Sequence, residues 1–388
     1  MDRLRARDRL LELSGLILDV LNVLLKNASS YADVIMPGYT HLQPAQPITF
    51  GHYLFGIFCA LERDFIRLQS AMQRINLSPL GAGALATTSF DIDRPWLSDI
   101  LSFDKPMENS LDAVASRDFG IETLSAMSQL AVTWSRLAQD FYVFASNEFD
   151  LIRFPDSVAG TSSIMPQKKN LFVLEHLKGK AAQFVGLLST SLTASKGTNF
   201  TNTVDGNRET MKGLWEGFEE MNNCLPLLKL VLETAAPNSE VMNRAVNKSF
   251  YMATDLADVL VKKGGLSFRE AHHVVGHLVG DLLKAGSLLG EVTPGQITAA
   301  SREIAGKGVV LAENDLRQAI DPAAGVAARN IPGGPGPAAL RKAIDDGRER
   351  LDRAVAETDK MRRRFDAAAA ELLALGRALA GSPQTAKV

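Results

Sequence analysis

Two short polar segments hold the residues best suited to acid–base chemistry. The first runs from Met36 to Pro47, where prolines stiffen a polar stretch directly before a long apolar pattern. Thr40, His41 and Gln43 supply hydrogen-bonding groups and a titratable imidazole there, which suits holding a carboxylate while a proton moves. Two interpretations stay open at this point: His41 takes part in catalysis, or the segment is a capping loop with a solvated histidine.

The second segment runs from Gly160 to Asn170. Small hydroxyl residues, including Ser162 and Ser163, precede a proline, and Lys168 follows at the start of a predicted helix. Ammonium groups beside a helix N-terminus bind anions, and a mobile serine loop at such a place can bind a carboxylate and activate a hydroxyl. Ordinary loop-to-helix capping is the alternative interpretation of this segment.

Long helices must position both segments. Residues 3–28 place apolar side chains three and four positions apart, which is typical of one helix face. Strand-like alternation is nearly absent, so the sequence predicts an all-α fold. Helices of this length with mixed apolar faces favour a long-helix bundle that packs against further copies of the chain. Similar helical patterns recur over 48–74, 107–150, 168–195, 206–235 and 240–263.

Composition limits the classes of function. The 388 residues are 46% hydrophobic, and 42 Lys and Arg nearly balance 44 Asp and Glu. This balance gives no overall electrostatic footprint for nucleic acid or an anionic membrane, and no apolar run approaches the about 20 residues that span a bilayer. Cys59 and Cys224 lack metal-site spacing, so we expect buried thiols in a reducing compartment, the cytoplasm.

A change of pattern near Asn238 predicts two domains, a helical bundle over 1–237 and a small helical domain with a terminal helix over 238–388. Ser267 and Glu270 form a capping-box pattern in the second domain. Residues 329–337 are too rich in Pro and Gly for a helix. Residues 338–380 are expected to form a solvated outer helix, and residues 381–388 to fray.

Taken together, the two segments resemble the aspartase and fumarase superfamily, whose signature loop Ser-Ser-x-Met-Pro-x-Lys-x-Asn matches Ser162 to Asn170. Gln167-Lys168-Lys169 within the loop, and Gly38 to Gln43, are similar to the argininosuccinate lyase branch. This similarity extends from about residue 7 to residue 346. Further matching motifs lie at 78–86, 93–94, 116–119, 268–272 and 332–335.

The resemblance implies a carbon–nitrogen lyase of arginine biosynthesis, which removes a proton beside a carboxylate and releases fumarate and an amine. Ser162 matches the family's base, and Lys168 with Asn170 matches the groups that stabilise the developing aci-carboxylate. Ser163 and Thr40 match carboxylate-binding positions.

His41 is expected to pair with Glu175, which lies five residues after Asn170 and could fix the imidazole tautomer. The family also implies a homotetramer whose active sites draw on three subunits, a small-molecule substrate, and no cofactor or metal. The remaining substrate-binding positions implied are Gln43, Arg117, Asn202 and Asn207.

Two departures from the family leave alternatives open. The chain opens inside a helical pattern, after the Gly-Arg-Ser-Arg-Asn-Asp segment that family members carry, so we expect the N-terminal domain to be missing. On the amine side, Asn202, Asn207 and Thr210 stand where the family has tyrosine, glutamine and lysine. An altered amine pocket would suit a different leaving group. The alternatives are therefore a paralogous fumarate-forming lyase, or a non-catalytic helical scaffold.

Overall fold

The computed structural model describes residues 1–380, and these residues fold mainly into α-helices. The predicted all-α fold class is confirmed. No helix within residues 1–380 is both long enough and apolar enough to cross a membrane. The helices are α1 (Asp2–Ser30), α2 (Phe50–Ile75), α3 (Arg94–Ile100), α4 (Ser110–Ala115), α5 (Asp118–Phe144), α6 (Phe172–Ser195), α7 (Thr210–Thr234), α8 (Ser239–Asn247), α9 (Ala253–Lys262), α10 (Phe268–Ala285), α11 (Pro294–Ala305), α12 (Glu313–Ile320), α13 (Pro322–Ala328) and α14 (Pro337–Ala380).

Five long helices, α1, α2, α5, α6 and α7, pack around one continuous hydrophobic core. Their directions alternate. Arg3 at the start of α1 donates to the Arg74 carbonyl at the end of α2 at 2.5 Å, and Trp134 in α5 donates to the Leu177 carbonyl near the start of α6 at 3.0 Å.

This alternation gives the bundle two distinct ends. We call one the hairpin end, where α1 and α5 finish and α2 and α6 begin. The other is the Arg117 end, where α1 and α5 begin and α2 and α6 finish. Because α5 has 27 residues, a helix of that length separates the two ends by about 40 Å.

The strands are short and pair two by two. Expecting almost none of them was wrong for one segment, since Ile35 to Thr49 folds into an antiparallel hairpin. Residues that precede a proline favour extended backbone, and Met36, Gln43 and Gln46 all do so. The strands are β1 (Ile35–Thr40), β2 (Gln43–Thr49), β3 (Leu77–Ser78), β4 (Lys105–Pro106), β5 (Ile152–Arg153), β6 (Gly160–Thr161), β7 (Lys169–Asn170) and β8 (Ala236–Pro237). The pairs are β1 with β2, β3 with β4, β5 with β8, and β6 with β7.

Four predicted helical stretches have different bounds in the structure. The stretch 168–195 begins only at Phe172, because Lys169–Asn170 form β7, so Lys168 precedes the helix and does not open it. The stretch 107–150 is interrupted because the backbone at Ser116 is extended, with a ψ of 131°. The stretch 206–235 opens with a π-helical turn, Asp205–Glu209, before α7 begins. The stretch 240–263 divides into α8 and α9.

A second hydrophobic core lies within residues 252–320 and is built mainly by α9, α10, α11 and α12. The predicted capping box opens α10: Ser267 accepts from the Glu270 amide, and Glu270 accepts from the Ser267 amide. A 3₁₀ turn, Leu289–Glu291, follows this helix. Whether this unit is a separate domain from residue 238 stays a prediction.

The long helix α14 packs on the bundle and not on this second core. Its buried Leu340, Ile344 and Leu351 belong to the bundle core, and Arg350 donates to Glu62 of α2 at 2.7 Å. Their spacing of four and seven residues defines one helix face, so α14 is solvated on its opposite face and, over residues 371–380, on all sides. The expected fraying of 381–388 concerns residues outside the described range.

Candidate active site

The hairpin holds His41 at its tip. Thr40 and Gln43 are paired, so His41 and Leu42 form a two-residue turn, and both have positive φ, 55° and 56°. This geometry is a type I′ turn, whose handedness matches the twist of the strands. Neither turn residue is glycine, so the turn carries backbone strain. The His41 side chain is exposed and has no hydrogen-bond or ion-pair partner within residues 1–380.

Close packing fixes the base of the hairpin. A Cβ atom at Gly38 would lie 2.4 Å from the Gln46 carbonyl oxygen, so only glycine fits there. Tyr39 packs against Phe149 of the bundle, with ring centroids 5.9 Å apart, and against Tyr251 beyond it, at 6.4 Å. Burial, followed by the hydrogen bond to Tyr39, raises the pKa of Tyr251. The strained turn at His41 and Leu42 is therefore held by tightly packed residues at the base of the hairpin.

The signature loop closes a second small hairpin at the same end of the bundle. β6 pairs with β7 through Gly160 with Asn170, which brings both ends of the loop together. The Ser162 Oγ accepts from the backbone amides of Ile164, at 3.3 Å, and Met165, at 3.1 Å. Two amide donors directed at one hydroxyl oxygen favour negative charge on that oxygen. This arrangement suits a serine that must lose its proton.

Lys168 lies on the exposed side of this loop. Its side chain has no hydrogen-bond or ion-pair partner in the described part of the chain, whereas Lys169 is paired with Asp156. Ser163 is exposed as well. A cavity of about 600 Å³ lies against the loop, lined partly by Lys168, Gln167 and Arg153. Both cationic and amide groups are thus available there for an anionic ligand.

Glu175 lies in the first turn of α6, where the helix dipole favours a carboxylate. The Tyr142 hydroxyl donates to its Oε1 at 3.0 Å. This hydrogen bond, with the charge of Glu175 as the second cause, raises the pKa of Tyr142. The expected pairing of His41 with Glu175 does not occur within one chain over residues 1–380, since Tyr142 supplies the side-chain partner of Glu175.

The remaining predicted residues lie at the Arg117 end. Arg117 precedes α5 and donates to the Ser116 carbonyl at 2.9 Å, and burial lowers its pKa. Its Nε is buried and has no hydrogen-bond partner within residues 1–380. Asn207 donates to Asn202 beside the π-helical turn that follows α6. Thr210, at the family's lysine position, is 2% exposed, so it faces the interior and not a ligand.

Within one chain, the predicted site residues therefore lie at the two ends of the bundle, the hairpin end and the Arg117 end, about 40 Å apart. Thr40, Gln43 and Asn170 accompany the other hairpin-end residues, while Arg117, Asn202 and Asn207 lie at the opposite end. Sequence reasoning did not identify Tyr142 or the glycine requirement at Gly38. The only sequence signal for Tyr142 was its place near the end of a long helix, which indicates no role by itself.

The fold and the sequence of this chain are similar to those of known proteins. A family described as "Lyase" matches residues 2–186, and one described as "Argininosuccinate lyase C-terminal" matches residues 250–327. Argininosuccinate lyase 1 of Shouchella clausii is 38% identical over 342 residues, 88% of this chain and 69% of that protein. Argininosuccinate lyase of Geobacillus kaustophilus is 41% identical over 345 residues, covering 89% of this chain and 73% of the relative.

Several solved structures share the fold of this chain. The crystal structure of EDDS lyase in complex with formate matches with a TM-score of 0.90 and 30% identity, covering 96% of this chain and 74% of that chain. A 3-carboxy-cis,cis-muconate lactonizing enzyme from Pseudomonas putida, at 21% identity and a TM-score of 0.68, shares the fold. The signature loop, the bundle and the level of identity lead to one assignment. The chain belongs to the argininosuccinate lyase family of the fumarate lyase superfamily and is a carbon–nitrogen lyase.

Proposed function

We propose that this chain catalyses β-elimination of argininosuccinate, which releases fumarate and arginine. The observation that carries the proposal is the signature loop, closed by β6 and β7, which leaves the Ser162 Oγ with two amide donors and Lys168 exposed. The identity of 38–41% to argininosuccinate lyases over most of the chain supports the same substrate.

In this proposal, Ser162 removes the proton from the carbon beside a carboxylate. The developing dianion meets Lys168 and Asn170, and a fixed donor of this kind stabilises a transition state by about 3 kcal/mol. Thr40, Gln43 and Ser163 bind the substrate carboxylates. His41 and Glu175 act on the leaving nitrogen, with the imidazole and the carboxylate supplied by different copies of the chain.

The active protein is proposed to be a homotetramer in which each site joins the hairpin ends of two copies to the Arg117 end of a third. The 40 Å separation, about one long helix, supports this arrangement, because one chain alone cannot gather the whole site. An exposed stripe on α6 also supports it: Gly179, Ala182, Val185 and Leu192 repeat at helical spacing, and Val185 and Leu192 are 52% and 50% exposed. Small and apolar residues at this spacing suit close contact between helices.

Mixing two damaged proteins tests the shared site. Ser162→Ala damages the hairpin end, and Asn207→Ala damages the Arg117 end. After both are unfolded and refolded together in equal amounts, random assembly leaves about one quarter of the sites with both ends intact. We expect fumarate release to rise to about that fraction of the wild-type rate. A rate no higher than the mean of the two separate proteins, or a stable monomer in sedimentation, would contradict the shared site.

A second candidate is a lyase for another N-substituted aspartate. Two observations favour it: Asn202 and Asn207 bond to each other where the family has tyrosine and glutamine, and Thr210 is buried where it has lysine. The likeness to EDDS lyase is in keeping with such a substrate. In either case we propose a cytoplasmic location, since Cys59 and Cys224 are free thiols.

Absorbance of the fumarate double bond separates the two candidates. The assay compares argininosuccinate with aspartate and with N-substituted aspartates that carry shorter or uncharged substituents. Exclusive cleavage of argininosuccinate supports the first candidate. A higher kcat/KM for another member of the series supports the second, and no fumarate from any of them would refute both.

A further inference from the structure

Tyr142 sits where two rigid helices meet. It lies in the last turn of α5, and Glu175 lies in the first turn of α6. Buried hydrogen bonds fix the register of these helices: Trp134 donates to the Leu177 carbonyl at 3.0 Å, and Ser128 to the Phe184 carbonyl at 3.1 Å. The hydroxyl of Tyr142 and the carboxylate of Glu175 are therefore held at a set distance by the helices that carry them.

The ring of Tyr142 is held as well. The Lys178 Nζ lies 4.8 Å from its centroid, one helical turn after Glu175. A cation over an aromatic face is attracted by the ring quadrupole. Tyr142 thus contacts α6 at two points, through its hydroxyl and through its ring. A two-point contact limits rotation of the side chain more than a hydrogen bond alone.

The hydrogen bond leaves one oxygen of Glu175 open. Its Oε1 accepts from Tyr142, while Oε2 has no hydrogen-bond or ion-pair partner within residues 1–380. The imidazole of His41 in the same chain is exposed and unpaired too. One open acceptor and one open imidazole are complementary, and the two do not contact each other within residues 1–380 of one chain.

We propose that Tyr142 is a positioning residue, which holds Glu175 by Oε1 so that Oε2 faces the imidazole of a second copy. This inference rests on the proposed function. Tyr142 therefore sets the orientation of the imidazole through Glu175 without touching the substrate.

Tyr142→Phe is the direct test, since it removes one oxygen and keeps the ring near Lys178. We expect kcat to fall about tenfold, as for loss of one hydrogen bond to a charged group, and KM to change less than twofold. Tyr31→Phe is the matched control: its ring packs on Phe50 at 5.5 Å, its hydroxyl has no side-chain partner within residues 1–380, and kcat should not change.

A second measurement tests the contact without turnover. The ultraviolet titration of wild-type protein minus that of Tyr142→Phe isolates one phenol, and it should show a pKa above the ordinary value. In a Glu175→Gln background the same difference should return towards the ordinary value. An ordinary phenol in the first difference, or an unchanged kcat in Tyr142→Phe, would overturn the proposal. If wild-type protein releases no fumarate from any N-substituted aspartate, the proposed function fails instead, while the titration still decides the contact.

Discussion

The hairpin end and the Arg117 end share the same five helices but satisfy their polar groups differently. At the Arg117 end, Arg3 and Arg7 are each 5% exposed, and their guanidinium groups donate to backbone carbonyls. Each also lies over an aromatic ring, Phe119 at 4.3 Å and Phe365 at 3.9 Å. Both guanidinium groups are thus enclosed by their own chain, and the Arg7 Nε is buried without a hydrogen-bond partner within residues 1–380.

At the hairpin end, His41, Ser163 and Lys168 are exposed, and their side chains have no hydrogen-bond partner in the described residues. A polar group that its own chain satisfies contributes to the fold, whereas an open one is available to a ligand or to another copy. The comparison assigns a role in stability to Arg3 and Arg7 and leaves the open side chains of the hairpin end available for the proposed chemistry.

The largest effect is expected at the hairpin end, from Ser162→Ala. Loss of a general base lowers kcat by about 1000-fold, while KM changes little because the base acts on the proton and not on ground-state binding. Fumarate release measures both quantities. Ser157→Ala, an exposed serine in the preceding turn, is the control and should keep wild-type kcat. Substantial activity in Ser162→Ala would assign the proton to another group.

At the Arg117 end, Arg7→Met should lower the free energy of unfolding by about 3 kcal/mol, as expected when one partner of a buried charged network is removed. The Leu101 carbonyl and the amide oxygen of Asn76 lose their donor, whereas the Ser102 carbonyl keeps a donor in Arg364. Urea denaturation measures the change. His41→Ala should alter the unfolding free energy by less than about 0.5 kcal/mol but abolish turnover. Equal stability losses in both proteins would break the comparison.

Features that depend on local interactions could be predicted from the sequence. Helix existence followed from apolar spacing, as in α1 and α2, because burying one face dominates helix stability in a folded protein. The capping box of Ser267 and Glu270 was predictable because it is local. The loop Ser162 to Asn170 was recognisable because its motif consists of consecutive residues.

Features that depend on distant contacts were not predictable. The hairpin required Gly38 to approach the Gln46 carbonyl, a contact that a helix-dominated pattern does not reveal. The pairing of Glu175 with Tyr142 depends on the register of two helices. Placing Arg117 away from the signature loop required the directions of the helices, which apolar spacing leaves open.

The smallest effect concerns backbone strain, which both ends contain. Leu42 at the hairpin tip and Ser102 at the Arg117 end have the same φ, 56°. Glycine adopts this conformation without a Cβ clash, so Leu42→Gly and Ser102→Gly should each raise the free energy of unfolding by about 1 kcal/mol. Leu42 is 61% exposed, so little packing is lost with its side chain.

The two substitutions should differ in function. A more flexible tip lets His41 sample more orientations and lowers kcat, whereas Ser102→Gly should keep the wild-type kcat. Urea denaturation and fumarate release on the same samples measure both effects. Leu42→Gly with raised stability and wild-type kcat would show that strain at the tip does not position His41.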